Sequence, residues 1–197
     1  MTITADMVKQ LRDMTGAGMM ECKKALGEAQ GDLQKAVDVL RKSGIAKAEK
    51  RSDRAASQGR IDAYIHDSRI GVLIEINCET DFVSRTDEFQ RLCRDLGMQA
   101  AAAGADYVRR EEVPAERIER ERAIYVDQVK NEGKPAAIVD KIVDGKLNKF
   151  YSEVCLMEQP FIKDDKKSVG DLVKEMSAKT GENIVVRRFV RYRLGAE

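Results

Sequence analysis

The sequence predicts an α+β protein: a three-helix unit at the N-terminus, then an antiparallel sheet with helices packed on it and a helical hairpin. Three observations carry that prediction. Within the first 46 of 197 residues, apolar positions recur at helical spacing in three short runs separated by glycine. Further on, Ile61-Asp62-Ala63-Tyr64-Ile65 and Ile70-Gly71-Val72-Leu73-Ile74-Glu75-Ile76 are rich in strand-forming residues and are joined by the turn His66-Asp67-Ser68-Arg69. Charged residues make up 35% of the chain and aromatics only 5%, which suits exposed amphipathic helices and excludes an all-β sandwich.

Taken in order, the first helical stripe is Met7, Val8, Leu11 and Met14, the second Met19, Met20, Cys22, Ala25 and Leu26, and the third Leu33, Ala36, Val37 and Leu40. Thr4 and Asp32 stand as N-caps, and Gly16, Gly31 and Gly44 where helices should stop. Helices this short enclose little core, so residues 1–46 read as a small domain of their own. Residues 47–60 carry a net +3 with almost no large apolar side chain and read as a basic linker. The α+β core then fills 61–197. Its second strand is nearly all apolar and is predicted to be central. Asn77-Cys78-Glu79-Thr80-Asp81-Phe82-Val83 leads from that strand to a helix capped by Thr86, with Phe89, Leu92, Cys93 and Leu96 on one face and Gly104 as its stop. Tyr107-Val108-Arg109 reads as a short strand. Residues 115–131 and 135–150 read as an antiparallel helical hairpin broken at Gly133-Lys134-Pro135. Ser168 caps a last helix through Leu172, Val173 and Met176, Gly181 stops it, and residues 184–190 form the final strand.

The charge balance narrows the function. A net charge of +1, with −5 concentrated in residues 61–113, argues against binding nucleic acid through bulk electrostatics. No apolar run is long enough to span a membrane, and Met1-Thr2-Ile3-Thr4-Ala5-Asp6 lacks the basic and apolar regions of a leader, so the expectation is a cytoplasmic protein. Cys22, Cys78, Cys93 and Cys155 are far apart, without a CxxC pair, and read as reduced, packed thiols. No phosphate-binding loop is present, and Thr15-Gly16-Ala17-Gly18 joins two helices rather than a strand to a helix. His66 with Cys78 is the one nucleophile and base pairing worth testing. Asp164 and Asp165, followed by Lys166 and Lys167, read as a charged turn rather than a metal site, and no cofactor is expected. Lys47, Lys50, Arg51, Arg54 and Arg60 could meet RNA phosphates or form a solvated tether, and Arg187, Arg188, Arg191 and Arg193 on the last strand raise the same alternative.

Phe82 has two readings. It either closes one end of the core or is an aromatic knob presented at a strand-to-helix junction for insertion into a partner. Met14, Met19 and Met20 are likewise either bundle core or adaptable interface. Leu11-Arg12-Asp13-Met14-Thr15-Gly16-Ala17-Gly18-Met19-Met20-Glu21-Cys22-Lys23-Lys24-Ala25-Leu26, the segment from Asn77 to Val83, and Glu158-Gln159-Pro160-Phe161 together resemble the translation elongation factor Ts family, in the right order and over essentially the whole chain. The resemblance implies a guanine nucleotide exchange factor for elongation factor Tu, acting by differential binding without covalent chemistry. It also implies that the N-terminal domain is ubiquitin-associated-like and docks on the partner through Leu11, Arg12, Thr15, Gly16, Ala17, Gly18, Met19 and Met20. Thr80, Asp81, Phe82 and Val83 would then intrude near the partner's bound Mg²⁺, with Phe82 as the wedge, so that GDP leaves and the nucleotide-free partner is held. Longer relatives have a core of two related halves, whereas this chain resembles the short members with one, which implies a homodimer paired along the sheet edge. The hairpin at 115–150 is shorter than the coiled-coil protrusion of some relatives.

Overall fold

The computed structural model describes residues 3–133 and 135–196. Its elements are helices α1 (Ala5–Thr15), α2 (Met19–Glu28) and α3 (Leu33–Glu49), strands β1 (Gln58–His66) and β2 (Ile70–Cys78), and helices α4 (Asp81–Ser84), α5 (Asp87–Ala103), α6 (Ala115–Asn131) and α7 (Ala136–Val154). Strands β3 (Pro160–Phe161) and β4 (Asp164–Ser168), helix α8 (Val169–Thr180) and strand β5 (Val185–Arg193) complete the chain. The fold is α+β, as the sequence predicts. The chain folds into two compact units, one collecting residues 1–59, 77–89 and 171–185, the other residues 60–76, 90–170 and 186–197.

In the first unit, α1 to α3 enclose Val8, Leu11, Cys22, Ala25, Leu26, Ala29 and Ala36. The Thr4 hydroxyl accepts from Met7 N at 3.3 Å and the Asp32 carboxylate from Lys35 N at 3.0 Å, so both predicted caps form. Gly16 closes α1 in the left-handed region at φ 69°. Gly44 is not a stop: α3 continues to Glu49. Its glycine serves a close approach instead, because a Cβ placed there would lie 2.9 Å from the Ala178 Cβ on α8. The basic stretch that follows is fastened down rather than free. Arg51 donates to the Ser177 carbonyl at 3.2 Å, and Asn183 Nδ2 donates to the carbonyls of Ser52 and Arg54 at 3.0 and 2.8 Å. The side chain of Lys47 lies outside the described residues.

In the second unit the three-stranded sheet has the order β1-β2-β5, with the apolar β2 in the middle as predicted. Asp67 and Ser68 both take positive φ, 48° and 55°, and Arg69 N donates to the His66 carbonyl at 2.9 Å, which closes the tight hairpin turn. Val72, Ile74, Ile76 and Val186 are buried. Helix α5 lies on that face, with the Gly97 backbone close enough that an added Cβ would sit 3.1 Å from the Tyr64 Cβ. The opposite face leaves Ile61, Ile65, Leu73, Val190 and Tyr192 exposed. Helices α6 and α7 form the predicted hairpin around Val129, Val143 and Leu147, α7 running four residues beyond the expected end; Lys134 at its tip lies outside the described residues.

Two local expectations are corrected. Tyr107 makes only an isolated parallel bridge to Cys155, and the segment then tightens into a 3-10 turn at Arg110–Glu112 before Pro114. The charged segment at 164–168 is a strand paired with β3, not a turn. A buried amide network sets it: Gln99 Nε2 donates to Gln159 Oε1 and the Pro160 carbonyl at 3.1 and 3.2 Å, and Gln99 Oε1 accepts from Ile162 N at 2.9 Å.

Helix propensity alone favours alanine over glycine by about 1 kcal/mol inside α3. The approach of Ala178 reverses the sign, and Gly44→Ala is expected to destabilise the protein by about 1–3 kcal/mol in urea unfolding.

Candidate functional site

The site is built where β2 ends. Strand β2 buries Val72, Ile74, Ile76 and Cys78 by simple alternation. The chain then turns at Glu79, Thr80 takes an extended N-cap conformation, and α4 makes a single turn over Asp81–Ser84. Local bonds fix that turn. Ser84 Oγ donates to the Asp81 carbonyl at 2.8 Å, Arg85 pairs with the Asp81 carboxylate at 2.7 Å, and the Thr86 hydroxyl donates to the Val83 carbonyl at 2.8 Å while accepting from Phe89 N at 3.3 Å. Thr86 thus caps α5 as the sequence predicts. Phe89, seven residues after Phe82, is fully buried, whereas Phe82 is 80% exposed. Phe82 therefore does not close one end of the core.

The junction is held from the chain's far end. The Glu182 carboxylate accepts from Glu79 N and Thr80 N, both at 3.1 Å, and from the Thr80 hydroxyl at 2.6 Å. Reciprocally, the Glu79 carboxylate accepts from Asn183 N at 2.7 Å and from Arg54 at 3.4 Å. Cys78 Sγ donates to the Thr80 carbonyl at 3.1 Å. Burial pushes the Cys78 thiol up to about 11, with the negative charge of Glu182 acting in the same direction. An activated nucleophile needs the opposite shift.

The other predicted segment is the turn between α1 and α2. The Thr15 hydroxyl donates to the Leu11 carbonyl at 2.7 Å and accepts from Ala17 N at 3.3 Å, Gly16 N donates to the Arg12 carbonyl at 2.7 Å, and Gly18 begins α2 in an extended conformation. Leu11 is fully buried and supports the turn from beneath, and Ala17 is half-buried. Arg12, Met14, Met19 and Met20 are exposed, Met20 at 77%. These three methionines are therefore not part of the bundle core. Lys179 links this turn to the start of α5: its Cε lies 3.0 Å from where a Gly16 Cβ would sit, and its ammonium pairs with Glu88 at 2.6 Å. Gly16 is thus required by its positive φ, while the flexible end of Lys179 can move aside for a side chain there.

The remaining candidates find ordinary partners. His66 Nδ1 lies 3.2 Å from the Tyr64 hydroxyl and their rings stack. Asp164 pairs with Lys167 at 3.6 Å, and among the described residues no group of three or more His, Cys, Asp or Glu side chains is placed to hold a metal ion. Arg188 pairs with Glu75 at 2.8 Å. No helix of the described residues is long and apolar enough to cross a membrane. Glu182 and Lys179, which the sequence reading did not single out, gave no local signal. Each lies about a hundred residues from what it holds and looks like any charge near a helix end.

A family model described as Elongation factor TS matches residues 7–196. Elongation factor Ts of Heliobacterium modesticaldum is 58% identical over 98% of this chain and 90% of its own length. That of Coprothermobacter proteolyticus is 59% identical over 99% of this chain and 100% of its own, and that of Thermodesulfovibrio yellowstonii is 54% identical over 99% and 98%.

Cys155, like Cys78, is raised by burial to about 11 from the ordinary 9.0. Between those values the unfolded chain binds fewer protons than the folded one, so stability falls as pH rises through that window. The urea midpoint is expected to drop from pH 9 to 11, with a shallower slope in Cys78→Ala and Cys155→Ala.

Proposed function

The chain belongs to the elongation factor Ts family, and from that premise we propose that it is a guanine nucleotide exchange factor for elongation factor Tu. The observation that carries this reading is Phe82, 80% exposed on a one-turn helix that its neighbours hold rigid. A side chain so placed can enter a partner's pocket with little ordering cost. The N-terminal bundle docks on the GDP-bound partner through the α1–α2 turn. Arg12, Thr15, Gly16, Ala17, Gly18, Met19 and Met20 form the contact, and Leu11 holds the turn's shape from within. Thr80, Asp81, Phe82 and Val83 then intrude near the Mg²⁺ site. Phe82 displaces the groups that hold metal and phosphate, while Asp81, paired with Arg85, keeps α4 formed.

Exchange follows from reciprocity. A factor that binds the nucleotide-free partner more tightly than the GDP form weakens GDP by the same ratio. A ratio of about 10³ corresponds to about 4 kcal/mol, within reach of a few anchoring side chains. No covalent step is required of this chain, which works in the cytoplasm.

We also propose a homodimer. The supporting observation is the outer face of the three-stranded sheet, where Ile61, Ile65, Leu73, Val190 and Tyr192 are exposed together. The Glu75–Arg188 pair on this face is already satisfied within the chain, so the apolar side chains are what a second copy would cover about a two-fold axis. The exposed apolar side chains favour pairing through this face.

Release of a fluorescent GDP analogue from purified elongation factor Tu tests the first reading. Wild type should accelerate release, and Phe82→Ala should lose about tenfold or more of that effect while its stability stays within about 0.5 kcal/mol. No acceleration by wild type at any concentration rejects the exchange function. Sedimentation tests the second: wild type should run as a dimer and Leu73→Glu as a monomer that still unfolds cooperatively.

A further inference from the structure

We propose that Glu182 is a positioning residue for exchange, its carboxylate holding the Glu79–Thr80 backbone so that Phe82 is aimed outward. This deepens the exchange reading and rests on it. Glu182 makes no claim to touch the partner. It acts through the Thr80–Val83 segment.

The geometry is that of a clamp. Three donors from two consecutive residues, two backbone N–H groups and one hydroxyl, converge on one carboxylate. Hydrogen bonds to an ionised acceptor are the strong kind. The clamp is doubled, because Glu79 in turn receives Asn183 N, the residue next to Glu182. Asn183 is itself buried and anchored through its amide to the carbonyls of Ser52 and Arg54. Glu182 therefore does not hang from a free loop. Gly181 ends α8 at φ 76°, and Ser177 Oγ donates to the Glu182 carbonyl at 2.6 Å, which sets the glutamate backbone from the helix side. Two residues beyond the clamp stands Phe82, with no burial of its own to fix its direction. An exposed aromatic gains by folding back onto apolar surface, and the anchored backbone at 79–80 opposes that collapse.

The clamp needs an acceptor and not specifically a charge. In Glu182→Gln the amide oxygen can take the two N–H groups while the amide nitrogen donates to the Thr80 hydroxyl. In Glu182→Ala all three donors lose their partner. The two variants separate geometry from simple loss of a side chain.

The test titrates each variant of the full chain against purified elongation factor Tu carrying a fluorescent GDP analogue, with circular dichroism confirming the fold. Glu182→Ala is expected to lower the maximal release rate at saturation by about tenfold, while the concentration for half-maximal effect shifts less than about threefold, because docking through α1–α2 is intact. Glu182→Gln should return the maximal rate to within about threefold of wild type. A second measurement reads the loop directly. Cys78 donates to the Thr80 carbonyl beneath the clamp, so its alkylation, followed peptide by peptide against Cys22, should quicken about tenfold in Glu182→Ala and much less in Glu182→Gln. A Glu182→Ala variant with the wild-type maximal rate overturns the proposal, as does a Glu182→Gln variant as slow as Glu182→Ala, or Cys78 reactivity unchanged in Glu182→Ala. If wild type itself fails to release GDP, the exchange reading fails, and the alkylation result still decides separately whether Glu182 holds the loop.

Discussion

The carboxylate of Glu182, receiving the backbone of Glu79 and Thr80, is the constraint on which the exposed junction depends. Burial fixes the core side chains, and it cannot fix Phe82. What remains is the backbone beneath it, whose polar contacts are partly local and partly long-range. Asp81 with Arg85, Ser84 with Asp81 and Thr86 with Val83 close the turn upon itself. Glu182 ties the start of that turn to a distant part of the chain, with Asn183 and Arg54 meeting Glu79 beside it. A turn stabilised only within itself would be a rigid object on a loose stem.

Among the described residues, exposed large apolar side chains occur in both units. Met14, Met19, Met20 and Phe82 belong to the first unit, and Ile61, Ile65, Leu73, Val190 and Tyr192 to the second. The two sets differ in kind. Methionines and a lone phenylalanine on helix ends are adaptable or protruding and suit a partner that must change shape. Branched and aromatic residues on a regular sheet face form a flat surface and suit a partner that repeats it. The division is in keeping with the two proposed roles, the first set meeting elongation factor Tu and the second a further copy of the chain.

Much of the architecture was legible because its signals are local. Thr4, Asp32 and Thr86 cap helices through bonds three residues long, and Gly104 and Gly181 end them with positive φ. Gly44 misled because a glycine required by the closeness of Ala178 looks the same in sequence as one that ends a helix. The ribbon at 160–168 was missed because Asp-Asp-Lys-Lys has poor strand propensity, and Gln99, some sixty residues away, sets its pairing. Phe82 stayed open between two readings because hydrophobicity ranks a side chain without saying which way its backbone points. Its motif was readable through resemblance, but its support by Glu182 was not, since a surface glutamate carries no mark of a partner 103 residues earlier.

The first unit is assembled from three separated stretches, 1–59, 77–89 and 171–185. During synthesis at about 5–20 residues per second, Glu79 is added to the chain roughly 5–20 s before Glu182. The bundle of α1 to α3 has its own core and can close during that interval. The Thr80–Val83 segment cannot be anchored then, because Glu182 does not yet exist. A nascent chain, or one truncated before Glu182, can therefore carry a formed α1–α2 turn with an unset Thr80–Val83 segment. The order of synthesis leaves the exposed junction unfinished until Glu182 has been added.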